Sequence, residues 1–92
     1  MTIGVVLDAV ARNMNVPVGQ LVGPSRNAWT VRARDIVCWI ARTHLRMSLT
    51  AIGQALGERH HTTIMTAIDR AFRMRADIYW RRRIARIAMV TQ

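Results

Sequence analysis

The sequence predicts an all-α fold, a small bundle of about six helices that includes a helix-turn-helix. Apolar residues recur at helical spacing in successive segments, Gly, Pro and Asn separate those segments, and no alternating strand pattern occurs. The chain has 92 residues, half of them hydrophobic, which suits one domain with one core over residues 1–92.

The first helix is read at residues 3–14, where Ile3, Val6, Leu7, Val10 and Met14 share a face. Pro17 ends that pattern and can open a short helical turn at 18–22. Residues 23–27, Gly-Pro-Ser-Arg-Asn, read as a loop. Thr30 is the expected N-cap of a third helix running to about residue 46. Its middle, residues 36–41, is apolar all round and marks a buried post, while Arg32, Arg34, Arg42 and Arg46 make its ends cationic. Ser48 is expected to cap a fourth helix at 49–56, with Leu49, Ile52 and Leu56 facing inward and Gly57 in a left-handed terminus. A fifth helix begins near His60 and runs to about residue 75. Its expected core stripe is Ile64, Ile68, Ala71 and Phe72, with Thr62, Thr66, Asp69 and Arg73 opposite. A sixth, Arg-rich helix at 78–90 offers Trp80, Ile84 and Ile87 as an apolar edge beside Arg81, Arg82, Arg83 and Arg86.

All fourteen cations are Arg and only five residues are acidic, for a net charge of +9. Arg makes bidentate contacts with phosphates and base edges, so the balance points to a polyanionic partner, nucleic acid first. The lone Cys38 cannot close a disulfide and is read as a small core residue. No stretch of about 18 residues runs free of charge, so no spanning helix is expected. Nor does a basic region precede the first apolar run, which places the protein in the cytoplasm. His60 and His61 are adjacent, point about 100° apart on a helix, and have no carboxylate or thiol at hand, so no metal is expected. Asp8, Asp35, Glu58, Asp69 and Asp77 are dispersed and form no acid/base pair. Neither catalysis nor a cofactor is expected. Trp29, Trp39 and Trp80 are read as packing residues.

The segment 49–75 has the form of a helix-turn-helix, whose second helix can enter the DNA major groove. Its outward residues Thr62, Thr63 and Thr66 are short and polar, and Arg59 and His61 stand at its start. Short side chains let such a helix sit deep, and Thr can meet phosphates, bases or the thymine methyl. A solvated helical hairpin would show much the same face, and the net positive charge favours the DNA reading.

Residues 52–64, I-G-Q-A-L-G-E-R-H-H-T-T-I, resemble the signature I-G-x-x-F-G-G-R-D-H-S/T-T-V of the C-terminal DNA-binding domain of the bacterial replication initiator DnaA. Residues 31–36, V-R-A-R-D-I, resemble the family's A-R-x-R-Q-x segment, and Arg42 and Ser48-Leu49 match its basic residue and S-L pair. The resemblance covers about residues 5–75. It implies that Arg26 is a minor-groove arginine and that His61 and Thr62 touch base edges in a TTATCCACA-like box. It further implies that Thr63, Arg42 and Arg59 lie toward the phosphate backbone, with Thr50 and Met65 near base methyl groups. Three positions depart from the family: Leu56 for Phe, Glu58 for Gly, and His60 for the Asp that accepts from base amino groups. Neutral His more readily donates, so a different base is expected at that step. The family's ATP-binding module has no counterpart here, since the chain holds no G-x-x-x-x-G-K-S/T.

The expected function is therefore sequence-specific binding of double-stranded DNA, regulating or competing in replication initiation, with replication initiation proteins as further candidate partners. The alternatives are a phage-like or transcriptional regulator with an altered site, and an Arg-rich interaction or membrane-surface module using residues 78–90.

Overall fold

Residues 2–91 are described by a computed structural model containing helices α1 (Ile3–Met14), α2 (Val18–Val22), α3 (Ala28–Thr43), α4 (Leu49–Ala55), α5 (His61–Met74) and α6 (Ile78–Val90). No strand occurs among the described residues. Five of the six helices begin at a side chain that accepts a backbone N–H of the first turn: Thr2, Asn27, Ser48, His60 and Asp77. Such caps satisfy donors that the helix cannot. Pro17, with its φ already set, opens α2 instead.

Helix α3 is the post. Ala33, Ile36, Val37, Cys38, Ile40 and Ala41 are wholly buried, and α1, α2, α4 and α5 pack around them while α6 lies on α1. Val6, Val10 and Met14 of α1, Leu21 of α2, Ile52 of α4, Ile64 of α5 and Ile87 of α6 close the core. Each large aliphatic side chain contributes about 1.5–3 kcal/mol by leaving water. Burial also pushes the Cys38 thiol up to about 12, so it stays protonated as core filling.

Four expectations need correction. Thr30 is not the cap of α3: Asn27 Oδ1 accepts from the N–H groups of Trp29 at 3.0 Å and Thr30 at 3.3 Å, and Thr30 is buried. The helix ends at Thr43 rather than near 46, and Arg46 beyond it has a left-handed φ of 55°. Phe72 is not in the core stripe but 58% exposed. The buried line is Ile64, Ala67 and Ala71, and Phe72 sits about 100° round the helix from it, against Trp39 at the edge. Arg34 does not join a cationic end of α3, because it is buried beneath the α2–α3 loop.

The tryptophans pack at helix junctions. Trp29 lies 5.6 Å from Trp80, and its indole N–H donates to the Met14 carbonyl at 2.8 Å, joining α3, α6 and α1. Trp39 lies between Phe72 and the Arg75 guanidinium.

Candidate nucleic-acid interface

Helices α4 and α5 meet through a turn that depends on two glycines. Gly57 has φ 82°, and a Cβ there would stand 2.3 Å from the Val22 carbonyl oxygen. A Cβ on Gly53 would stand 2.1 Å from the Arg59 carbonyl oxygen, so only Gly lets the turn fold back on α4. The Arg59 N–H then donates to the Gly53 carbonyl at 2.9 Å. Glu58, beside Gly57, also takes a left-handed φ of 60°. That conformation costs a side-chain-bearing residue about 1 kcal/mol.

His60 is the N-cap of α5. Its Nδ1 accepts the Thr62 N–H at 3.2 Å and lies 2.8 Å from the Thr62 hydroxyl. With Nδ1 accepting, the ring proton sits on Nε2, which makes the outer edge of His60 a donor. His61, Thr62, Thr63, Met65 and Thr66 all lie exposed on the first two turns of α5, and the Thr66 hydroxyl donates back to the Thr62 carbonyl at 3.0 Å. Thr50 is exposed on the first turn of α4, and exposed Arg42 donates to the Met47 carbonyl at 2.8 Å.

Helix α5 is fixed to α3 by its buried line and by one ion pair. Arg70 Nε and Nη2 donate to Asp35 Oδ2 and Oδ1 at 2.9 and 3.0 Å, and the Asp35 side chain is 3% exposed. Burial pushes the Asp35 carboxyl above its usual range, against the pull of Arg70. Such a pair adds little net stability, but its two-pronged geometry sets the rotation of α5.

The loop carrying Arg26 is held from below. Arg34 donates to the carbonyls of Leu21 at 2.8 Å, Gln20 at 3.0 Å, Gly23 at 3.2 Å and Ser25 at 3.1 Å. Arg59 donates to Leu56, to Gly23 at 2.6 Å and to Val22 at 3.5 Å. Burial, then the nearby Arg59 charge, hold Arg34 below its ordinary pKa. Arg26 itself is exposed, on the rim of an open concavity of about 600 Å³ that it shares with Arg32, Arg70 and Arg73. The structure thus brings His60, His61, Thr62 and Thr66 together, with the Arg26 loop tied to the turn before them through Arg59. Arg59 is only partly exposed because its donors serve that loop.

The sequence reading gave no role to Arg34 beneath the loop or to the Asp35–Arg70 pair. A signal for Arg34 was present: residues 34, 37, 38 and 41 fall at i, i+3, i+4 and i+7, on the buried face of α3. Nothing local in the sequence marks the partners of Asp35 or Arg59.

A family model described as the bacterial DnaA protein helix-turn-helix matches residues 3–71. The chromosomal replication initiator protein DnaA of Thermomicrobium roseum is 40% identical over 70 residues, covering 76% of this chain and 15% of that protein. The protein of the same name from Ureaplasma parvum is 37% identical over 65 residues, 71% of this chain and 14% of its own. That of Lactococcus lactis subsp. cremoris is 40% identical over 67 residues, 73% of this chain and 15% of its own. The chain therefore spans 14–15% of the length of these curated relatives. Helix α6 lies outside the matched residues.

Proposed function

The chain belongs to the helix-turn-helix family of the bacterial DnaA protein, and on that premise we propose that it is a single DNA-binding domain that reads duplex DNA in a sequence-specific way. The observation that carries this reading is the first two turns of α5, where short polar side chains stand exposed on a helix whose rotation is fixed. His61 and Thr62 meet base edges in the major groove, with Thr66 beside them and Met65 and Thr50 near base methyl groups. Arg42, Thr63 and Arg59 serve the phosphates, Arg59 while also clamping the loop, and Arg26 enters the adjacent minor groove. Recognition needs no cofactor, metal or catalytic step. It is ATP-independent in these 92 residues, which hold no phosphate-binding loop. The protein works in the cytoplasm by occupying box-like sites and so regulates or competes in replication initiation, with initiation proteins as its further partners.

His60 favours a second reading, in which the domain serves as a regulator with an altered site. Its Nδ1 is used in the cap, and its Nε2–H suits guanine N7 or O6 rather than a base amino group. One experiment addresses both readings. Preferred duplexes are selected from a random pool, first with the natural chain and then with His60→Asp. A defined motif is expected, and His60→Asp should move it toward the TTATCCACA-like box. Affinity for the selected duplex should fall with a log–log salt slope of about −4 to −7, as for five to eight neutralised phosphates. No enriched motif together with a flat salt response would end the DNA reading. A natural chain that already prefers the box, with no change in His60→Asp, would end the altered-site reading.

A further inference from the structure

The open concavity of about 600 Å³ beside Arg26 is walled by the loop and the start of α3 on one side and by the second half of α5 on the other. Four arginines line it, Arg26, Arg32, Arg70 and Arg73, against one carboxylate, Asp35. That carboxylate is buried, and both of its oxygens accept from Arg70. Arg73 is met only by Asp69 at 3.0 Å, with both side chains more than half exposed. Such a surface pair contributes little, so the Arg73 guanidinium is free to turn to another anion. Arg32 is exposed and has no carboxylate partner among the described residues.

Arg32 is also oriented in advance. Its guanidinium lies over the Trp80 ring of α6, 5.7 Å from the centroid. Trp80 rests in turn against Trp29 at 5.6 Å, and Trp29 is fixed by its bond to the Met14 carbonyl and covered by the Arg83 guanidinium at 5.1 Å. A guanidinium stacked through its face keeps its in-plane N–H donors for a ligand. Ordering the long side chain beforehand also lowers the entropy cost of binding. Trp80 lies beyond the residues that match the family model, so membership of the family assigns this platform no role.

The position of the concavity selects its ligand. With α5 in the major groove and Arg26 in the adjacent minor groove, one sugar-phosphate strand separates the two grooves and has to pass between them. The concavity occupies that interval. On α5, Thr66, Arg70 and Arg73 fall at i, i+4 and i+7, so the arginine wall continues the face on which Thr66 stands.

We propose that this concavity seats one backbone phosphate of the bound duplex, the phosphate between the minor-groove flank and the bases read by α5. Arg32 is its principal donor, Arg73 stands beside it, and Trp80 is the platform that orients Arg32. The seat rests on the DNA reading of α5 and deepens it. A strand held there fixes the register between the two readers, so Arg26 and α5 cannot slide along the duplex independently.

The test uses the full chain and the duplex selected from the random pool, with one phosphate at a time replaced by a neutral methylphosphonate. Neutralising the phosphate between flank and core should cost the natural chain about tenfold in affinity, as for one charge-assisted contact. Arg32→Ala should cost about the same on the unmodified duplex, with an unchanged melting temperature because Arg32 is exposed. The two losses should not multiply: on the Arg32→Ala variant that methylphosphonate should cost less than about threefold. Arg32→Gln, which keeps a stem over Trp80 without the charge, should match Arg32→Ala. Trp80→Leu should lose about threefold on its own and nothing further when combined with Arg32→Ala.

Losses that multiply, coupling of Arg32 to a phosphate elsewhere, or no loss in Arg32→Ala would each overturn the seat. A Trp80→Leu loss that persists in the Arg32→Ala background would overturn the platform. Inorganic phosphate titrated onto the DNA-free chain, read by tryptophan fluorescence, distinguishes a soluble anion. Saturable binding that Arg32→Ala abolishes, without any methylphosphonate coupling, would give the concavity to that anion instead. Failure to enrich any motif would overturn the reading of α5 and the seat with it, whereas every other outcome leaves the motif in place.

Discussion

The α2–α3 loop and the first turn of α5 are both assigned to DNA, yet they are made rigid in opposite ways. The loop has no regular structure, and its backbone is held at a distance by two arginines, Arg34 from the core side and Arg59 from the turn. The α5 turn is held locally and redundantly by the His60 cap, the close approaches at Gly53 and Gly57, the buried Ile64–Ala71 line and the Asp35–Arg70 pair. In a chain whose cations are all arginine, the residue type alone therefore says little about role. Arg34 spends its donors on protein carbonyls and Arg59 spends most of its own there, while Arg26 is left exposed.

The sharpest way to break this comparison is Arg34→Ala. It strips four carbonyls of their donor in a buried place, so stability should fall by about 3 kcal/mol or more in denaturant unfolding. Hydrogen exchange should quicken first at residues 20–25. A loss below about 1 kcal/mol would mean that the loop is held by something other than Arg34.

Arg26→Ala should do the reverse. The side chain is exposed, so the melting temperature should stay put, while affinity for a site with an A·T-rich flank falls by about 1–3 kcal/mol. An equal loss on random duplexes would reduce Arg26 to a plain phosphate contact.

The smallest expected effect lies in the turn between the two regions. Glu58 holds a left-handed φ of 60° next to Gly57, so Glu58→Gly should stabilise the fold by up to about 1 kcal/mol. It also removes a negative charge beside the reading helix and should raise affinity slightly on every duplex. Unchanged stability would show that the turn carries no strain at that position.

Much of this was legible in the sequence, and what was not has physical causes. Helical periodicity placed α1 and α6, and periodicity with the Ser48 cap placed α4, each within a residue or so, because these signals are written in neighbouring residues. The start of α3 was misplaced because Asn27 and Thr30 are both good caps, and only tertiary packing, which buries Thr30, decides between them. Phe72 falls at core spacing from Ile64 and Ile68, whereas the buried line of α5 against α3 runs through the smaller Ala67 and Ala71. The exposed face of α5 was readable from Thr62, Thr63 and Thr66. The clamps were not, since the bonds of Arg34 span up to 14 residues, and those that tie Arg59 to the loop and Arg70 to α3 span 35 or more. No sequence window reveals such pairs.

In the proposed function the first turn of α5 reads bases in the major groove, Arg26 favours an A·T-rich minor groove, and the rest of the positive surface supplies affinity. Thr62→Ala tests it most directly, measured as the ratio of affinity for the selected duplex to affinity for a scrambled one of equal length. Thr62 is exposed and its N–H stays capped by His60, so the fold is untouched. The account predicts a loss of about 1–3 kcal/mol on the selected duplex, with scrambled-duplex affinity and the melting temperature nearly constant. An equal loss on both duplexes, or no loss on either, would contradict it.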